Sequence, residues 1–217
     1  MLVAGLLDVG ASEKVLAQVL TSLPKEFDWS TSLVTRKSLA ARSFQVQAEE
    51  GHIHRGLSDV LELLASVQWT NRARFWAETA FRSIAEAEAQ CHGCSVEEVH
   101  FHEVGALDAL VDICGACALL DSLDPAAIWA TPVAVGSGTV QCAHGAMPVP
   151  APATLKLLEG MPITGQDLRG ERATPTGVAL LRAWGVQFGS RPPSRPLKTG
   201  YGAGTHDFED VPNFLSI

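Results

Sequence analysis

Four of the seven histidines in this chain fall into two His-x-His pairs, His52-Ile53-His54-Arg55 and His100-Phe101-His102-Glu103. In extended backbone, residues two apart point to the same side. Each pair can therefore present two imidazoles to one centre. Imidazole suits nickel, zinc, copper and iron, so the pairs read as metal or substrate contacts; the bland alternative is a chance pairing of surface histidines. A further imidazole, His144, follows the thiol of Cys142. Behind the second pair come three acids, Glu103, Asp108 and Asp112. The last two are four residues apart in an apolar stretch and share a helix face with Gly115. The helix dipole favours a negative charge at Asp108, in the first turn, but does not reach Asp112. A carboxylate in an apolar helix needs a partner or a metal, so both are candidate site residues.

Two other motifs suit an anion. Gly136-Ser137-Gly138-Thr139 follows an apolar strand, and glycine lets backbone amides approach a phosphate closely; the bland alternative is a turn. Thr174-Pro175-Thr176-Gly177 heads a helical pattern, with Thr174 as a cap and proline in the first turn. A helix start of this kind can hold a phosphate, although capping alone explains it. Gly200 to Gly204 form another glycine-rich stretch. Cys91, Cys94, Cys114 and Cys117 have the spacing of a four-cysteine zinc site. The second pair falls inside a continuous apolar helix, where free cysteine is commonly a small buried hydrophobe.

The elements that must position these groups alternate irregularly. Leu2, Val3, Leu6 and Leu7 predict a helix ending at Gly10, and Ser12 caps a second one. Two strands are expected within residues 28–50. Ser58 is expected to cap a short helix. A longer helix runs from Asn71 to Gln90, with Phe75, Trp76, Ala80, Ile84 and Ala85 on its apolar side. An apolar helix spans Ala106 to Leu123. Residues 127–149 read as strand with glycine punctuation. Thr154 leads a short helix and Thr174 another. The expected class is α+β, with helices packed on a mixed sheet, as one unit over 1–217 that is helix-rich over 1–126 and strand-rich over 127–217.

The chain has 217 residues and a formal charge of −8. That length buries a real core, and 47% hydrophobic against 18% charged residues excludes global disorder. The acidic balance argues against a nucleic-acid binder. No apolar run approaches the length of a membrane span, and the start has no basic region preceding its apolar residues. A cytoplasmic protein with no membrane partner is expected. Oligomeric state is left open.

Taken in order, HIHR, HFHEVGALDALVDI, VGSGTVQCAHGAMPVPAPAT, ATPTG, GYGAG and the closing Pro212-Asn213 resemble the LarC family of nickel insertion proteins. The resemblance implies nickel insertion into pyridinium-3,5-bisthiocarboxylic acid mononucleotide. It implies a CTP-dependent cyclometallation, of lyase class, that also uses Mn²⁺ or Mg²⁺ and makes a nickel-pincer cofactor. Family members begin with a strand and a loop ending in Gly-Asp-Met. Met1 matches that Met, so the sheet is expected to lack its first strand. They also carry a C-terminal domain associated with CTP, sometimes encoded separately. On this reading His52, His54, His100, His102 and His144 are nickel ligands, and Glu103, Asp108 and Asp112 catalytic acids or bases. Gly136, Ser137, Gly138, Thr139, Thr174, Thr176 and Gly177 hold the mononucleotide. A nickel-carrying half without catalysis and a zinc-stabilised interaction module are the alternatives.

Overall fold

The protein is described from a computed structural model. The described residues are 1–24, 27–48, 55–101, 107–142, 145–190, 192–206, 208–209 and 211–217. Helices α1 (Leu2–Asp8) and α2 (Glu13–Thr21) precede a long hairpin, β1 (Phe27–Arg36) and β2 (Leu39–Ala48). A two-residue strand β3 (Arg55–Gly56) runs straight into α3 (Leu57–Ser66), and α4 (Asn71–His92) follows. A single 3₁₀ turn, Val96–Glu98, leads to β4 (His100–Phe101) and then α5 (Leu107–Leu123). Short strands β5 (Trp129–Ala130), β6 (Val133–Ala134), β7 (Gly136–Ser137), β8 (Thr139–Cys142) and β9 (Gly145–Pro148) come next. They are followed by α6 (Pro152–Leu157), β10 (Ile163–Thr164), β11 (Gly170–Glu171) and α7 (Pro175–Ala183). The chain closes with β12 (Gln187–Phe188), β13 (Tyr201–Ala203) and β14 (Phe214–Ser216). The class is α+β, as expected.

The sheet is mixed, in the order β1-β2-β13-β14, with β2 and β13 parallel and the other pairs antiparallel. Helix α5 is apolar on nearly every side because it is the core: Leu110, Val111, Ile113, Cys114 and Leu119 are fully buried. Helices α1, α2, α4 and α7 pack around it. At Gly115 an added Cβ would lie 2.8 Å from Leu16 Cδ1 and 3.4 Å from Val3 Cγ2, so the missing side chain sets how close α1 and α2 come. No helix of the described residues is long and apolar enough to cross a membrane.

Three local expectations differ in detail. Helix α3 begins before Ser58, because Asp59 reaches back and accepts the Gly56 N–H at 2.8 Å; a carboxylate at that position caps as well as a hydroxyl at the end. On α4, Phe75 is 63% exposed. The buried stripe is Ala73, Ala77, Ala80, Phe81 and Ile84, whose small members let α4 approach its neighbours. Helix α6 starts at Pro152, whose fixed φ suits a first turn, and Thr154 is buried within it.

The Gly200 to Gly204 stretch is where α1 crosses the sheet backbone to backbone. A Cβ on Gly202 would fall 2.6 Å from Gly5 N and closer still to the Met1 carbonyl oxygen. Gly200 is equally tight, 2.6 Å from Gly5 O. Gly204 lies under the Asn213 side chain, whose Nδ2 donates to His206 O at 2.8 Å. The Gly204 carbonyl accepts from Arg36 Nε and Nη2 at 3.2 and 2.8 Å. Replacing Gly202 by Ala must push α1 off the sheet and should cost about 3 kcal/mol in urea unfolding. Gly93→Ala, at φ +65° in open space, should cost only about 1 kcal/mol. Equal losses would show that the crossing is loose.

Candidate functional site

The two histidine segments flank one ladder. Strands β3 and β4 pair antiparallel, Arg55 opposite Phe101 and Gly56 opposite His100. In sequence, His54 immediately precedes Arg55 and His102 immediately follows Phe101. Both segments therefore join the ladder at the same end, that of the Arg55 and Phe101 pair. His52, His54, His102, Glu103 and His144 lie outside the described residues, as does the side chain of His100. The ladder itself is firmly held. Phe101 is buried with its ring 6.2 Å from that of Phe81 on α4, and Val99 and Arg55 are buried beside it. The turn before β4 is capped by Glu98, which accepts from Ser95 N at 2.9 Å and Ser95 Oγ at 3.0 Å. Those two hydrogen bonds, the backbone one first, hold the Glu98 carboxyl below its usual range.

Asp108 and Asp112 stand on the first two turns of α5. Asp108 is exposed, and its Oδ1 accepts from Ala109 N at 2.8 Å. Asp112 is half-buried. Burial pushes its carboxyl up; the amino group of Met1 works against this and the charge of Asp108 adds to it. A raised carboxyl close to a second acid is an arrangement suited to holding or passing a proton.

The two anion motifs are neighbours. Gly136 pairs with Glu171 and Ser137 with Gly170 across β7 and β11. Ser137 Oγ donates to Leu168 O at 2.9 Å, and Arg172 N donates to Val135 O at 3.2 Å. Thr174, three residues beyond Glu171, caps α7 by accepting Gly177 N at 3.3 Å. Gly136 has φ +81°, and an added Cβ there would run into the Gly170 carbonyl. Gly138 has φ +101° with open space around it, and Thr139 beyond it is exposed. Thr176 and Gly177, in the first turn of α7, are half-buried. Two residues without any motif complete this corner. Arg172 lays its guanidinium 3.3 Å from the centroid of the Phe208 ring, and Phe208 rests on Gly170. Composition and spacing gave no signal for either, since their meeting depends on the chain end folding back over β11.

The family model described as nickel insertion protein matches residues 1–217. The chain belongs to the nickel insertion protein family. A relative named for nickel insertion in Geotalea daltonii is 41% identical over 220 residues, covering all of this chain and 56% of that protein. One in Citrifermentans bemidjiense is 44% identical over 219 residues, covering all of this chain and 57% of its own length. A protein of Desulfitobacterium hafniense, named pyridinium-3,5-bisthiocarboxylic acid mononucleotide nickel insertion protein, is 40% identical over 218 residues and is covered to 54%. The chain thus spans about half the length of the curated relatives it matches. No solved structure matches it.

In this member of the nickel insertion family the cysteines do not gather. Cys114 and Cys117 are fully buried in α5, and burial raises both thiols, that of Cys117 to about 12. Both are therefore protonated thiols in the metal-free chain. Cys91 is exposed at the end of α4, and Cys94 half-buried beyond it. Among the described residues no three His, Cys, Asp or Glu side chains are placed to share a metal ion. The four-cysteine zinc module finds no support in this arrangement. Asp112 carries a stability signature. The folded chain holds the Asp112 proton more tightly than the unfolded chain, so ionising it costs stability as pH rises above the ordinary value of 3.8. Asp112→Asn should therefore raise the melting temperature at neutral pH. That gain should fade as pH falls through 3.8. A loss of stability at neutral pH would mean that the ionised carboxylate has a partner it needs.

Proposed function

We propose that this chain handles nickel as substrate for insertion into pyridinium-3,5-bisthiocarboxylic acid mononucleotide, the compound named for the Desulfitobacterium relative. The observation that carries this reading is the β3–β4 register, through which two His-x-His segments join one buried ladder at the same end. Imidazoles bind nickel well and, unlike a set of thiolates, release it. His52, His54, His100 and His102, with His144, serve as transient ligands. Glu103, Asp108 and Asp112 act as bases or as outer hydrogen-bond partners that orient the imidazoles. Gly136 to Thr139 and the first turn of α7, Thr174 to Gly177, seat the phosphate. The chemistry is a cyclometallation of lyase class in the cytoplasm, with CTP and Mn²⁺ or Mg²⁺ brought by a C-terminal domain.

A second reading, of the same family, assigns this chain less of the reaction. In that reading this chain only carries nickel or its acceptor, and a partner chain performs the chemistry. Mixing the purified chain with precursor, nickel and CTP, with and without the remainder of a relative, separates the two. Product from the chain alone assigns it the reaction; product only from the mixture assigns it the carrying role; none from either sinks both. Nickel titration tests the ligands directly. Substituting Ala for both His100 and His102 should weaken nickel binding about tenfold or more. An unchanged titration removes them from the site.

A further inference from the structure

The corner where β7, β11 and the chain end meet holds a planar cation on an aromatic face. Arg172 Cζ lies 3.3 Å from the Phe208 centroid, in van der Waals contact. Its Nε and Nη2 donate to Arg169 O at 3.1 and 2.8 Å, which fixes the guanidinium on the ring. The ring in turn is seated on Gly170, where any side chain would collide with it. The same arginine grows out of the glycine turn: its Cγ lies 3.0 Å from the position a Gly136 Cβ would take. The turn is open to solvent at Gly138 and Thr139. In a chain of formal charge −8, an anionic ligand needs local cations, and Arg169 and Arg172 both border this turn.

We propose that Phe208 is the platform for the pyridinium ring of the mononucleotide, and that Arg172 leaves that face to bind the phosphate of the same molecule. The inference rests on the functional reading above, and deepens it by adding a ring seat and a phosphate-binding arginine, both from residues outside every sequence motif, to the glycine turn. The physical basis is that guanidinium and pyridinium are alike: each is flat, delocalised and weakly hydrated, and each is attracted to the negative face of a phenyl ring. The face that carries one carries the other. The arginine pivots about a Cγ already at the glycine turn, and its fork can bind two phosphate oxygens at once. In the free chain Arg172 keeps the platform covered. Ring and phosphate together displace it, whereas a ring without phosphate must compete with it.

The test uses the whole chain, without nickel, titrated calorimetrically with nicotinic acid mononucleotide and with the riboside that lacks the phosphate. Phe208→Leu should weaken both ligands about tenfold. Arg172→Gln should weaken the mononucleotide by a similar factor but bind the riboside as well as, or better than, the original chain. Trifluorophenylalanine at 208 keeps the shape and packing of the ring while draining its face. It should weaken both ligands while the circular dichroism spectrum of the folded chain stays unchanged, which a role limited to packing does not predict. Unchanged affinities at 208, equal losses of both ligands in Arg172→Gln, or no binding of the mononucleotide to the original chain each overturn the proposal. Nickel titration of the histidine segments proceeds independently. Failure there sinks the functional reading alone.

Discussion

The proposed metal site depends on two hydrogen-bonded residue pairs. The ladder between Arg55–Gly56 and His100–Phe101 is the shortest that can be called a ladder, and alone it would not persist in water. It persists because the residues that follow β3 and those that precede β4 are fixed. On one side β3 continues directly into α3, and Asp59 closes that junction. On the other, the Glu98 cap delivers the chain to Phe101, whose ring is locked against Phe81. The histidine segments are thus attached to the core through side chains that have nothing to do with metal. Weakening Phe101 packing would disturb both segments at once.

The corner proposed to seat the phosphate is built by absence of side chains. Gly136, Gly170, Gly200, Gly202 and Gly204 each sit where a Cβ would strike a neighbour. These contacts let β11 close on β7, let α1 lie on β13, and let the chain end return over the Gly136 turn. Phe208 reaches Arg172 only because that return is possible. The three glycine motifs are therefore not three equivalent phosphate loops. One is an open turn, one is the cap of α7, and the stretch at 200–204 is a packing joint.

Periodicity made most of the helices readable. Apolar spacing located α1, α2, α4, α5 and α7, since a helix must bury a stripe to be stable. The near-uniform apolarity of α5 announced that it is buried on all sides. Readings at individual positions were weaker where a neighbour far along the chain decides the outcome. Phe75 looks like core, yet alanines won the interface because α4 packs closely on α5 and α7. Ser58 looks like a cap, yet a carboxylate one residue later took that role. The His-x-His pairs were visible as types and spacing, but their attachment to one ladder was not, because 44 residues, mostly helix and turn, lie between Arg55 and His100. Arg172 and Phe208 are further still from anything local sequence can express.

The proposed function reduces to one chemical statement: nickel is held by imidazoles, not sulfurs. Burial raises the thiols of Cys114 and Cys117, and Cys91 lies in the last turn of α4 with Cys94 just beyond it. X-ray absorption at the nickel edge, on the chain loaded with one equivalent of Ni²⁺, reads the donor atoms directly. A nitrogen and oxygen shell with the multiple-scattering pattern of imidazole rings is the expected spectrum. A shell dominated by sulfur would contradict it, and with it the role assigned to the paired histidines.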